Sequence, residues 1–189
     1  CVTQLSSWIA ANPTGKGVNW SCPMDVAIRA VNWVWAVALL ATSPLSTEDW
    51  LADVLASLVA HGRFLRDNLE VRDDGVTTNH YLADLVGLLY LGLCLQEVRE
   101  AEGWATFAVR ALVREMDRQV LPDGVHYESS LSYHRLVTEM FVSSAMLCRR
   151  HGVQLPTTFH DRLEKMCQFV EGYTKPNGFA PQIGDGDNG

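Results

Sequence analysis

A chain of 189 residues with 48% apolar content can bury one sizeable core, so a single domain is the default reading. A formal charge of -7 excludes bulk electrostatic attraction to nucleic acid and leaves any anionic ligand to be met by local cations. The five cysteines (Cys1, Cys22, Cys94, Cys148 and Cys167) contain no CxxC pair, so free thiols are expected, with neither a disulfide framework nor a metal or cofactor.

Helical periodicity runs through the whole chain. A short helix is expected over Thr3 to Ala11, ended by Asn12-Pro13-Thr14-Gly15. The next carries Met24, Ile28, Val31, Trp35, Ala38 and Leu39 at three- and four-residue spacing, which predicts a helix. On another stripe of that helix stand Asp25, Arg29, Asn32 and Ala36, with Asp25 and Arg29 spaced for an i,i+4 ion pair. Gly17-Val18-Asn19-Trp20 precedes it, and Trp20, Trp33 and Trp35 offer flat faces on which sugar rings stack, while Arg29 can grip a carboxylate with two hydrogen bonds. An ion pair beside core tryptophans is the plainer reading of the same residues.

A helix from about Ser46 to Leu69 follows, with Ser46 or Thr47 as cap and Glu48 and Asp49 in its first turn. Further helices are expected near Asn79 to Arg99, Glu102 to Val120, Leu131 to His151 and Thr157 to Tyr173. Tyr81 to Leu95 is too short to span a bilayer and carries Asp84, which marks a buried core helix and no membrane span. No alternating strand pattern of useful length is present. Short links between helices of about 20 residues predict antiparallel hairpins, so the fold class is all-α, built as a helical array or an α/α toroid.

Two polar clusters stand at the mouths of apolar helices: Thr77-Thr78-Asn79-His80-Tyr81, and Asp123 to Arg135. In the first, Thr78 or Asn79 can cap the helix, or Asn79 and His80 can donate hydrogen bonds to an anion at its positive end. Gly87 and Gly92 in so apolar a helix imply close packing, since each costs about 1 kcal/mol relative to Ala. In the second, Ser129, Ser130 or Ser132 caps, Tyr133, His134 and Arg135 fall in the first turn, and Glu128 lies ready to orient Tyr133 or His134. A capped helix with surface polar groups, including an Arg135–Glu139 pair, accounts for the same pattern.

A carboxamide, an imidazole and a phenol at helix starts suit proton abstraction beside a carboxylate. Donors on the carboxylate absorb the charge of the developing enolate. A phenol with a free pKa near 10 serves as base where cations such as Arg135 or His134 favour its phenolate. It can then return the proton to the leaving oxygen. Glycoside hydrolysis needs two flanking carboxyl groups, for which Asp25, Asp84, Asp123 and Glu128 are candidates without a distinguishing motif. A non-catalytic glycan-binding scaffold is the third possibility.

In order along the chain, Asn12-Pro13, Gly17 to Trp20, Met24 to Trp33, Thr78 to Leu91, Asp123 to Arg135 and Ile183-Gly184-Asp185 resemble the heparinase II/III-like polysaccharide lyases, oligoalginate lyases included. The resemblance covers nearly the whole chain. It implies an incomplete α/α toroid over residues 1–174 and a linker over 175–189 leading to a β-sandwich domain in the same polypeptide, with the active site between the two. It also implies β-elimination on a 4-linked uronic-acid glycan, without cofactor, and favours the periplasm. By matching motif, Asn79 and His80 would neutralise the uronate carboxylate and Tyr133 would transfer the proton. Asn19, Trp20, Arg29, Asn32, Trp33, Glu128, His134 and Arg135 would bind substrate or support the cleft. The family pattern has Glu where Asp25 stands, and it draws a further His from the β domain. The start on Cys1 and the stop in Gly184 to Gly189 fit a piece of a longer polypeptide. The spacing Asp185-x-Asp187-x-Gly189 lacks the remaining oxygen ligands of a calcium loop.

Overall fold

The computed structural model describes residues 1–186 and, within them, seven α-helices, one 3-10 turn and no strand. The last part of the expected 175–189 linker and of the Asp185/Asp187/Gly189 pattern lies outside the described residues. The helices are α1 (Val2–Ala11), α2 (Pro23–Leu40), α3 (Glu48–Asp67), α4 (Asn79–Cys94), α5 (Ala101–Gln119), α6 (Leu131–Arg150) and α7 (Thr157–Tyr173).

Their starts follow local chemistry. Pro23 occupies the first turn of α2, where its missing N–H costs nothing. Thr47, Thr78 and Ser130 cap α3, α4 and α6 by accepting a backbone N–H. Helix α4 ends at Cys94, a turn short of the expected Arg99, because Leu95 leaves helical geometry and a turn closes from Ala101 N–H to Val98 C=O.

Pairs of contacts fix the directions. Near their starts, α2 and α4 are joined through Glu70, which accepts from the Met24 N–H at 2.9 Å and meets His80 Nδ1 at 3.2 Å; farther along, Trp35 and Tyr90 lie 6.5 Å apart. Near the start of α4, Asn79 binds Glu128, and farther on Tyr90 Oη lies 2.5 Å from Ser143 Oγ on α6. Helices α2, α4 and α6 therefore run parallel in one layer. The returning helices run the other way: Gly92 near the end of α4 packs on Ala101 and Ala105 at the start of α5, and His134 near the start of α6 meets Met166 late in α7. Three up-and-down hairpins thus form an arc, the architecture of an incomplete α/α toroid.

Helix α4 is apolar on all sides and is the centre of the core, with only His80 and Cys94 not fully buried. By contrast, α2 buries Pro23, Val26, Ala27, Ala30 and Trp33 and leaves Ile28, Trp35 and Leu39 exposed. The periodic apolar stripe is thus divided, with Met24 and Val31 against the core and Ile28, Trp35 and Leu39 on the open face. Small residues face the core because α4 comes so close: a Cβ at Gly87 would sit 2.8 Å from the Ala27 Cβ. By length and composition α2 could cross a membrane, but its small-residue face is packed along α4.

At Gly92 a Cβ would meet backbone, 2.5 Å from Ala105 N and 2.7 Å from Ala101 O. Backbone cannot rotate aside as a side chain can. Gly92→Ala is therefore expected to destabilise the fold by about 2–3 kcal/mol despite the better helix propensity of alanine. Urea unfolding checks this, and an unchanged midpoint would refute the close approach.

Candidate functional site

The parallel run of α2, α4 and α6 brings three helix N-termini to one end of the molecule, and with them their positive dipole ends. On α4, neighbouring residues point to opposite partners. Asn79 turns toward α6, where its Nδ2 donates to Glu128 at 2.9 and 3.2 Å and its backbone N–H donates to the same carboxylate at 3.1 Å. The carboxamide has two N–H bonds, so it can serve Glu128 and still offer a donor. His80 turns toward α2, its half-exposed ring 3.2 Å from Glu70. Tyr133 is half-buried at the third position of α6, its N–H donating to Ser130 Oγ at 3.3 Å.

From this end an open groove of about 200 Å³ runs between α2 and α6 over α4. Its floor is Ala83 and Val86, one turn beyond Asn79. Ile28, Val31 and Asn32 form one wall, and Leu136, Glu139 and Ser143, starting one turn beyond Tyr133, form the other. Of the expected substrate contacts, exposed Asn32 lines this groove, and Arg135 is exposed on α6. No Arg135–Glu139 ion pair forms among the described residues. Asn19 is exposed and donates to Asn12 Oδ1 at 2.6 Å.

Four expectations change. Glu128 holds Asn79, and His134 is held by other partners. Trp20 and Trp33 are buried and offer no stacking face, because they enclose His61 with Trp8; only Trp35 of the three tryptophans stays exposed. Arg29 forms no ion pair with Asp25. Its Nε donates to His61 Nε2 at 2.9 Å and its guanidinium lies over Trp8 and Trp20, with Nη2 buried and unpartnered. Burial lowers its pKa to about 10, with Asp25 opposing. Finally, His134 is sealed inside. Its Nδ1 accepts from the His126 N–H at 3.2 Å, which leaves Nε2–H to face Met166 O, also at 3.2 Å. Burial lowers its pKa, so it is a neutral brace between α6 and α7 and no cation for a phenolate.

The support beneath the site was not visible in the chain order. Buried Glu115 accepts from Thr77 Oγ1 at 2.5 Å and Gln119 Nε2 at 2.9 Å; Gln119 also donates to Thr78 O, and Tyr127 Oη donates to Thr77 O. Together they fix the strand-like approach to α4. Glu115 and Gln119 at i,i+4 on an otherwise apolar face were the available signal. The expected linker also folds back: Leu131 N–H donates to Ile183 O at 3.1 Å and Ser130 Oγ to Asp185 O. Gly184, at φ 78°, approaches Ser130 so closely that a Cβ would lie 2.7 Å from its Cα.

Buried titrating groups set a stability optimum. His61 and His126 are pulled down to about 4 by burial, aided by Arg29 and His134 respectively, while a backbone carbonyl opposes this at His61. The unfolded chain takes up these protons below about pH 6.5, so stability falls from there toward pH 4, with His134 adding in the same sense. Asp84 is pushed up to about 8 by burial, so stability also falls as pH rises from about 4 to 8. The histidines outnumber it below pH 6.5 and it acts alone above. Urea midpoints should therefore peak near pH 6–7, and Asp84→Asn should flatten the alkaline side.

The family profile described as Heparinase II/III N-terminus matches residues 1–189. The chain is similar to the heparin-sulfate lyase of Bacteroides thetaiotaomicron, 27% identical over 178 residues that cover 92% of this chain and 25% of that protein. It is also similar to the heparin-sulfate lyase of Pedobacter heparinus, 24% identical over 191 residues, covering 97% and 28%. The crystal structure of heparinase III matches with a TM-score of 0.81 at 25% identity, over 96% of this chain and 28% of that one. The heparan sulfate lyase structure from Pedobacter heparinus, at 23% identity and TM-score 0.72 over 95% and 28%, shares the fold. The chain spans about a quarter of the length of the curated relatives it matches.

Proposed function

Because this chain belongs to the heparinase II/III N-terminal family, we propose that it is the helical part of a polysaccharide lyase that cleaves a 4-linked uronate glycan by β-elimination. The named relatives favour a glycosaminoglycan of the heparin or heparan type as substrate. The observation that carries this reading is the convergence of the α2, α4 and α6 starts, joined by the Asn79–Glu128 and His80–Glu70 contacts. Three positive helix ends at one place suit a carboxylate and the second charge that develops on it.

Asn79 supplies a neutral donor to that carboxylate. His80 supplies another through its outward ring nitrogen when the ring carries that proton. Tyr133 takes the C5 proton and returns one to the leaving O4, so atoms balance without water. Trp35 and the apolar groove walls leave room for sugar rings beyond the reacting unit. Hydrolysis is less well supported: Glu128 is committed to Asn79, Glu70 to His80, and Asp84 is buried and protonated at neutral pH.

The test is product chemistry. The complete polypeptide, given heparan sulfate and, separately, an alginate oligomer, should release fragments with a new ultraviolet absorbance and no added water by mass. Fragments that each gain water would establish a hydrolase, and tight binding without cleavage a scaffold.

A further inference from the structure

Beside the reactive end lies a second set of groups with a different chemistry. Cys22 precedes α2 as its N-cap, Glu70 stands in the connection from α3 to α4, and His80 is in the first turn of α4. Cys22 Sγ, a Glu70 carboxylate oxygen and a His80 ring nitrogen all lie within 4.8 Å of one another. The Glu70–His80 contact is an ordinary hydrogen bond at 3.2 Å, but that pair does not require a thiol beside it.

The geometry points to a binding site for a single zinc-class divalent cation at Cys22, Glu70 and His80. Donor atoms around a tetrahedral zinc lie about 3–4 Å apart, given bonds of roughly 2.0–2.3 Å, so small side-chain rotations bring these three onto one ion. The sulfur–nitrogen–oxygen set selects zinc and its neighbours over magnesium or calcium, which take oxygen donors. A thiolate and a carboxylate balance the dication. Glu70 is held ready: its other oxygen accepts from Met24 N–H at 2.9 Å, and its own N–H donates to Asp84 Oδ2 at 2.8 Å. Such outer partners orient a ligand before the ion arrives. The half-exposed His80 ring leaves the fourth position to water.

One consequence rests on the proposed function. While Nδ1–H of a neutral His80 donates to Glu70, its outward Nε2 is an acceptor. With a cation on Nδ1, Nε2 must carry the proton and becomes a donor. The cation would thus set which way His80 faces a uronate.

Binding is tested without turnover. Cobalt(II) is titrated into the reduced, chelator-treated complete polypeptide, and the near-ultraviolet thiolate-to-cobalt band is read. One saturating equivalent is expected, lost in Cys22→Ser, weakened about tenfold or more in Glu70→Gln, and kept in Cys1→Ser/Cys167→Ser. On the unsubstituted protein, zinc should slow iodoacetamide alkylation of Cys22 while exposed Cys167 reacts as before. No band, a band that survives Cys22→Ser, or unprotected Cys22 would overturn the site, whatever the protein does to a glycan.

Discussion

Tyr133→Phe is expected to lower turnover of a uronate glycan by about a thousandfold, with little change in KM. The size follows from loss of the group that moves the proton, since positioned acid–base catalysis contributes about 10²- to 10⁴-fold. The α6 cap survives the substitution, because it runs through the Tyr133 backbone N–H and Ser130 Oγ, which phenylalanine keeps. On the proposed mechanism, the converging helix ends and Arg135 are the groups left to favour the phenolate. His134 cannot help, being buried and neutral with Nδ1 occupied by the His126 N–H. A further expectation separates the two sources: Arg135→Gln should move the rising, phenolate-forming limb of the rate profile to higher pH more than it lowers the plateau. Measurement is by ultraviolet absorbance of the unsaturated product. Full activity in the Phe variant would remove Tyr133 from the chemistry and leave the groove as a binding surface.

The order of helices and most of their ends could be read from periodicity and caps. Thr47, Thr78 and Ser130 were each among the expected capping residues, and Thr157 to Tyr173 coincides with α7. Which face of α2 is buried could not be read, because Ile28, Trp35 and Leu39 form the more hydrophobic stripe. What decides the matter is the close approach of Gly87 to Ala27, a tertiary contact between residues 60 apart in the chain. The tryptophans misled for a related reason: a flat ring suits a sugar or a core equally, and Trp8 with His61 completes a core cage around Trp20 and Trp33. Asn79 and Tyr133 stand out as candidates in the sequence because both lie at helix starts with polar neighbours. Glu70 was missed because nothing in the chain marks an exposed-looking glutamate after α3 as the link between α2 and α4. The same gap hid the Cys22–Glu70–His80 set, whose members are 48 and 10 residues apart in sequence.

Asn79→Ala should cost roughly 10²- to 10³-fold in kcat, the usual effect of deleting one preorganised donor to a developing anion. KM should move much less, because the donor matters most when the carboxylate takes up its second charge. Stability should fall by about 1–3 kcal/mol, since Glu128 keeps only the Asn79 backbone N–H of its three contacts with that residue. Truncation alone does not prove an electrostatic role, as a missing side chain also loosens the α4–α6 junction. Asn79→Asp separates the two. It keeps size and shape but sets a carboxylate against Glu128 and against the substrate. If the carboxamide acts by donating to an anion, the Asp variant is slower than the Ala variant and less stable above about pH 5, with stability recovering as acid protonates the pair. If Asn79 serves only to fill space, the Asp variant is the more active of the two, and the charge-neutralising role fails.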